Sequence, residues 1–184
     1  MTFRFCVIVL VLWGGLARAQ PADPALVSRV MSVGKITDRS RAESLVLAAT
    51  AASNNDFSVE LLLGLSYVES NYESTATSRL IAGKRHTGAW VSVTAPPGAV
   101  GNFFCGVTQA IAPTWKRCLE LRDPAVAYAA AVSELGQWLQ RSGSVQGALQ
   151  GHGCGNAGMK GACKAYALRV FTYARRLEGP RPTT

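Results

Sequence analysis

Acidic residues are scarce in this chain, 11 against 19 Lys and Arg among 184 residues, and none lies between Glu73 and Glu120. That stretch can supply no carboxylate pair for joint acid and base work. Histidine is scarcer still, with only His86 and His152. The spacing of His152, Cys154 and Cys163 matches no common zinc-ligand pattern, so neither a metal nor any other cofactor is expected. No basic run is interleaved with aromatics; Lys84, Arg85, Lys116, Arg117, Lys160 and Lys164 are scattered, which argues against nucleic-acid binding. Internal repeats and low-complexity tracts are also absent. Apart from the N-terminus, no apolar run approaches the roughly 20 residues that a membrane span needs.

The N-terminus itself reads as an export signal. Met1-Thr-Phe-Arg4 is a short basic start, Phe5 to Leu12 is apolar, and Ala17-Arg18-Ala19 has the small-x-small form of a cleavage site, so residues 1–19 are expected to be removed. Cys6 lies within the apolar region and is not placed to carry a lipid anchor. Processing removes Arg4 and Arg18 and leaves 17 basic against 11 acidic residues, a net charge of +6. Such a chain, periplasmic or secreted, suits an anionic partner: cell-wall polymer, a membrane surface or stray nucleic acid, among which charge alone does not choose. Four cysteines survive processing, and an even count in an exported chain suggests two disulfides. Three connectivities are possible; the sequence-local pairs Cys105–Cys118 and Cys154–Cys163 are preferred.

The remaining 165 or so residues suit one mainly helical domain, expected over 41–178 after an N-terminal segment at 20–40, with a disordered tail at 179–184. Arg41 to Ser53 is alanine-rich, and Asn54-Asn55-Asp56 breaks it before a second helix starts near Ser58. That second helix is apolar on nearly every side and should be central. Asp123 and Pro124 open a third, to about Gln140, with Val126, Ala129, Val132, Leu135 and Leu139 on one stripe. Ser144 caps a shorter helix toward Gln150. A glycine-rich loop spans Gly151 to Gly161, and Ala162 to Leu177 returns to helix with Gly179 as its stop. Between Arg79 and Phe104 the helical pattern fails, and Trp90-Val-Ser-Val-Thr94 with Ala95-Pro-Pro-Gly98 suggests a small β-hairpin.

Glu69 stands out because it closes the apolar helix. A helix C-terminus carries partial negative charge, and burial against Leu65, Tyr67 and Val68 acts in the same direction; both favour the protonated carboxyl. A carboxylic acid kept protonated can give its proton to a leaving oxygen, the step that glycosidic cleavage requires. The plainer alternative is a solvated glutamate at a frayed helix end.

Val68-Glu69-Ser70-Asn71-Tyr72, then Ala76-Thr77-Ser78, then Cys105-Gly106-Val107-Thr108-Gln109 resemble the Glu-Ser, Ala-x-Ser and Gly-Leu-Met-Gln motifs of lytic transglycosylases with the soluble-lytic-transglycosylase domain. The order is the same, and the resemblance runs from about Leu45 to Leu177. It implies a lysozyme-like fold with a small β-hairpin insertion and a peptidoglycan glycan strand as partner. Glu69 becomes the single catalytic acid and base. Ser78 orients it or contacts the sugar, and Gly106, Val107, Thr108 and Gln109 line the groove, Gln109 by hydrogen bonding and Gly106 by admitting the glycan. His152 and Tyr166 complete the substrate-binding set. Trp90 on the hairpin could stack on sugar rings.

Two departures stand against the family pattern. Gly151-His152-Gly153-Cys154-Gly155 replaces Ala-Tyr-Asn-Ala-Gly, so His152 stands where a tyrosine would touch the glutamate, while Asn156-Ala157-Gly158 follows three residues later. A protonated His152 would oppose an acidic Glu69. Val107 and Thr108 replace Leu and Met. The resemblance implies cleavage between N-acetylmuramic acid and N-acetylglucosamine with closure of a 1,6-anhydro ring. A hydrolysing lysozyme with water activated by Glu73, a wall-binding or secretion-accessory module that does not cleave, and a small disulfide-stabilised interaction protein are the alternatives. The small size and lack of an obvious wall-anchoring domain suit a local role, such as opening the wall for a secretion or pilus complex.

Overall fold

An aspartate followed by proline opens two helices of this chain. Asp23 accepts a hydrogen bond from Ala25 N at the start of α1 (Pro24–Gly34), and Asp123 does the same for Ala125 N at the start of α5 (Pro124–Ser142). In each, the carboxylate satisfies an orphan amide and proline supplies a preset φ. The computed structural model describes residues 21–81, 84–85, 95, 98–155 and 161–179. The export signal expected at 1–19, the tail at 180–184, Trp90 and Asn156-Ala157-Gly158 lie outside the described residues. So does most of the expected hairpin turn.

The remaining helices are α2 (Arg39–Ala52), α3 (Val59–Ser70), α4 (Trp115–Glu120), α6 (Val145–Cys154) and α7 (Gly161–Glu178). The stretch read as an N-terminal segment is therefore helical, and Leu26, Val27 and Val30 of α1 are buried in the main core. Arg29 also donates to Leu177 O of α7 at 2.6 Å. As its composition predicts, α3 is central: Leu62, Leu63 and Leu65 are completely buried. Gly64 lets α7 approach closely, since a Cβ there would lie 2.8 Å from both Val170 O and Ala174 N.

The buried stripe of α5 is rotated from the one expected. Ala127, Tyr128, Ala131 and Leu135 are buried, whereas Ala129 is exposed. Tyr128 sets this rotation, because its hydroxyl meets Ser66 Oγ of α3 at 2.6 Å inside the core. The end of α6 also differs from expectation, since residues 151–154 continue the helix rather than forming a loop. Its glycines are packing glycines: a Cβ on Gly151 would lie 2.2 Å from the Trp138 ring, and one on Gly153 would lie 2.6 Å from Tyr166.

Where a small hairpin was expected, the chain forms a four-stranded antiparallel sheet in the order β2-β1-β3-β4. Its strands are β1 (Thr77–Ile81), β2 (Lys84–Arg85), β3 (Val100–Cys105) and β4 (Ala110–Thr114). A second apolar cluster, with Phe103, Ala112, Trp115 and Leu121, joins the sheet to α4. Within it the Cys105–Cys118 disulfide ties β3 to α4, and Cys154–Cys163 ties the end of α6 to α7. These are the two sequence-local pairs, and such bonds form and persist in oxidising compartments. No described helix is long and apolar enough to cross a membrane.

Candidate active site

The last turn of α3 brings Glu69 to the meeting point of α5, α6, α7 and the turn between β3 and β4. Asn71, in the left-handed conformation at φ 52°, ends the helix just beyond it. Glu69 is only 7% exposed. Tyr166 of α7 donates its hydroxyl to Glu69 Oε1 at 2.5 Å. His152 of α6 presents Nε2 at 3.1 Å from Thr108 O and 3.9 Å from Glu69 Oε1. The other ring nitrogen, Nδ1, stands 3.2 Å from Glu134 Oε1 of α5, within ion-pair distance. Glu69, Tyr166, His152 and Glu134 thus form one chain of acid–base groups drawn from four helices.

Ser70 secures the turn beneath this chain, donating to Val107 O at 2.7 Å and to Ser66 O at 3.0 Å. The Glu-Ser dipeptide therefore joins two tasks: its first residue enters the polar cluster and its second anchors the 106–109 turn to α3.

The 106–109 turn, expected to line the groove, packs its side chains inward. Val107, Thr108 and Gln109 are all buried. Thr108 Oγ1 donates to Ala127 O at 3.1 Å, and Gln109 Nε2 donates to Ala76 O at 2.9 Å and Gly106 O at 3.0 Å. Burial requires those polar groups to find internal partners, and the backbone supplies them. Gly106 likewise has an internal reason to be glycine. Its φ is +74°, and a Cβ there would lie 1.9 Å from Leu121 O, so protein backbone fills the space that a side chain would take.

Of the other expected site residues, Ser78 lies on β1 opposite Phe104 of β3. Glu73 accepts hydrogen bonds from Thr75 and a 3.3 Å ion pair from Arg41. Partial burial acts to raise its pKa, but the Thr75 hydroxyl and amide and the Arg41 guanidinium outweigh it and hold the carboxyl below its ordinary range. A charge anchored this way is a weak base for activating water.

A groove of about 810 Å³ runs between α5 and the β4–α4 segment, lined by Ala110, Ile111, Arg117, Val126, Ala130 and Glu134 among others. Glu134 belongs to both the groove and the buried cluster; Glu69 is not part of the groove lining. Sequence reading missed Glu134. The available signal was its spacing, three residues beyond Ala131 and seven beyond Ala127, which puts it beside the buried stripe of α5. Among the described residues, no group of three His, Cys, Asp or Glu side chains is arranged to hold a metal ion. Comparison with protein-family models, with characterised proteins and with solved structures finds no match to this chain.

Proposed function

We propose that this protein is a lytic transglycosylase of lysozyme-like fold that cleaves peptidoglycan in the periplasm or outside the cell. The observation that carries the proposal is Glu69: a carboxyl buried at the end of the central helix, one oxygen held by Tyr166. The resemblance of the Glu-Ser, Ala-x-Ser and Gly-x-x-Gln motifs supports the same assignment. In the reaction, Glu69 gives its proton to the oxygen bridging N-acetylmuramic acid and N-acetylglucosamine. The bond from that oxygen to the muramyl C1 breaks, and the substrate's N-acetyl oxygen relieves the positive charge at C1. Glu69, now a carboxylate steadied by the Tyr166 hydroxyl, takes the proton of the muramyl C6 hydroxyl as O6 bonds to C1. The 1,6-anhydro ring closes and the carboxyl is restored. The substrate supplies the second group, so one protein carboxylate suffices.

A hydrolysing lysozyme fits the geometry less well. The second carboxylate closest in the chain of contacts is Glu134, and the buried His152 ring stands between it and Glu69, 3.2 Å from one and 3.9 Å from the other. A non-cleaving wall-binding module has one observation in its favour, the exclusion of Glu69 from the lining of the α5–β4 groove.

The deciding experiment digests purified peptidoglycan with the disulfide-intact mature protein and with Glu69→Gln, followed by mass spectrometry of the products. Anhydromuramyl ends that vanish in the variant are expected. Reducing ends would replace the transglycosylase by a hydrolase, and intact strands recovered bound to folded protein would replace it by a binding module.

A further inference from the structure

We infer that a cleft between the ends of α1 and α3 and the middle of α7 binds the C-terminal carboxylate of a short peptide. The cleft has a volume of about 310 Å³, at the small end of the range for ligand sites. Lys35 caps α1, Asn71 caps α3, and Tyr67, Arg169 and Tyr173 complete its polar lining. Each of these side chains can donate a hydrogen bond, and no Asp or Glu lines the cleft. Glu69 faces His152 and Tyr166 and is not part of it, so this site is separate from the one described above. The adjoining cleft, of about 440 Å³, shares Lys35 and Asn71 but contains Asp38 and Glu73, with Arg41 already bonded to Glu73 and to Tyr72 O. Its carboxylates repel an anion, which is therefore drawn to the smaller cleft.

The simplest task for a cation here is to offset a helix end. Lys35 lies at the C-terminus of α1 and lines the cleft beside the C-terminus of α3, and each end carries about half a negative charge. One lysine accounts for both. Arg169 is different, because it stands in the middle of α7, away from either end. Lys35 and Arg169 are exposed, and neither forms an ion pair among the described residues. Arg169 is thus a surplus charge, and its planar fork matches the two oxygens of a carboxylate. Arg176 adds to the positive field, its guanidinium 4.8 Å from the centre of the Tyr173 ring. The Tyr67 and Tyr173 rings, with centroids 4.1 Å apart, join Val33 and Val68 in an apolar wall. A bare inorganic anion would leave that wall uncovered, whereas a peptide end covers it with the small side chain beside its carboxylate.

The inference is independent of the transglycosylase reading, because binding is measured with no glycan present. Acetyl-alanyl-alanine is titrated into the full mature protein and followed by nitrogen-15 spectra. Saturable shifts are expected at the Gly34, Lys35 and Asn71 amides and at Arg169 Nε, and the same peptide with a C-terminal amide should produce none. Arg169→Gln and Lys35→Gln should each weaken binding by about 5-fold or more. Arg175→Gln, which removes an exposed charge of the same helix outside the cleft, should leave it unchanged. Shifts that never saturate, or an amidated peptide that binds equally well, overturn the inference. Equal weakening by Arg175→Gln overturns it too, since net charge and not the cleft would then attract the peptide. Inorganic phosphate binding as tightly as the peptide would refute the peptide assignment, because the apolar wall would then contribute nothing.

Discussion

Replacing Gly106 by alanine separates two reasons for a glycine in the Gly-x-x-Gln motif. At φ +74° an alanine pays the left-handed penalty of about 1–2 kcal/mol. Its Cβ would also lie 1.9 Å from Leu121 O and 2.9 Å from Leu121 C, and both contacts are with backbone, which cannot swing aside as a side-chain tip can. Forcing that backbone outward strains the second core, where Leu121 is fully buried, at a further cost of about 1–3 kcal/mol. The displacement would also pull on Gly106 N, bonded to Ala76 O at 3.0 Å, and on Gly106 O, which receives Gln109. The total, about 2–5 kcal/mol, corresponds to a fall in Tm of roughly 5–20 °C in a domain of this size. Gly143 supplies the control: its φ is +70°, but an added Cβ would meet nothing within 4 Å, so Gly143→Ala should cost only the left-handed penalty. Urea unfolding of both variants, followed by circular dichroism, measures the difference. Equal destabilisation would refute the steric argument. A Gly106→Ala protein of unchanged stability that no longer cleaves glycan would return Gly106 to the substrate-binding role.

Three further perturbations test other parts of the structure. The Tyr72 hydroxyl is buried and finds no hydrogen-bond partner among the described residues, so Tyr72→Phe should stabilise the protein by about 1 kcal/mol in calorimetry, whereas a comparable loss would mean the hydroxyl is satisfied. Burial, with Tyr128 and Tyr67 close by, pushes the Tyr72 phenol above the ordinary tyrosine range, and burial raises Tyr128 despite its bond to Ser66. A raised folded pKa leaves full stability below the unfolded value near 10 and removes it above, by about 1.4 kcal/mol per pH unit for each group, so guanidinium midpoints should be level to about pH 9.5 and fall steeply by pH 11. Removing the Tyr166 hydroxyl by Tyr166→Phe takes a donor from a buried carboxyl and should slow glycan cleavage by roughly 10- to 100-fold while leaving the circular dichroism unchanged; an undiminished rate would remove Tyr166 from the site.

Elements governed by local chemistry were legible in the sequence, and those governed by contacts across the fold were not. Ser58, Asp123 and Ser144 mark helix starts because a cap is a bond between residues two or three apart. The Asp23-Pro24 pair carries the same signal as Asp123-Pro124, so the start of α1 was legible in the sequence too. The rotation of α5 was not readable from a stripe of Val and Leu, since the choice of buried face depends on Tyr128 reaching Ser66, 62 residues away. Gly151 and Gly153 show the same limit from the other side: glycine spacing that reads as loop is here the room that Trp138 and Tyr166 require.

For the site, the residue types were visible but the connections among them were not. Glu69 could be singled out from its place at the end of an apolar helix, and His152 from its departure from a motif. Beside them stands Glu134, a glutamate whose surroundings in sequence, Ala131-Val132-Ser133-Glu134-Leu135, resemble any amphipathic helix. Only the packing of α6 on α5 places its carboxyl at the second nitrogen of His152. A tyrosine in place of His152 would bring a hydroxyl, and Glu134 Oε1 would lose the ring nitrogen that stands 3.2 Å from it. The two residues are therefore in contact: His152→Tyr and Glu134→Leu each remove one side of it, and the joint replacement removes both. The joint replacement should cost less stability than the sum of the two separate costs in a double-mutant cycle, and simple additivity would mean that Glu134 and His152 do not interact.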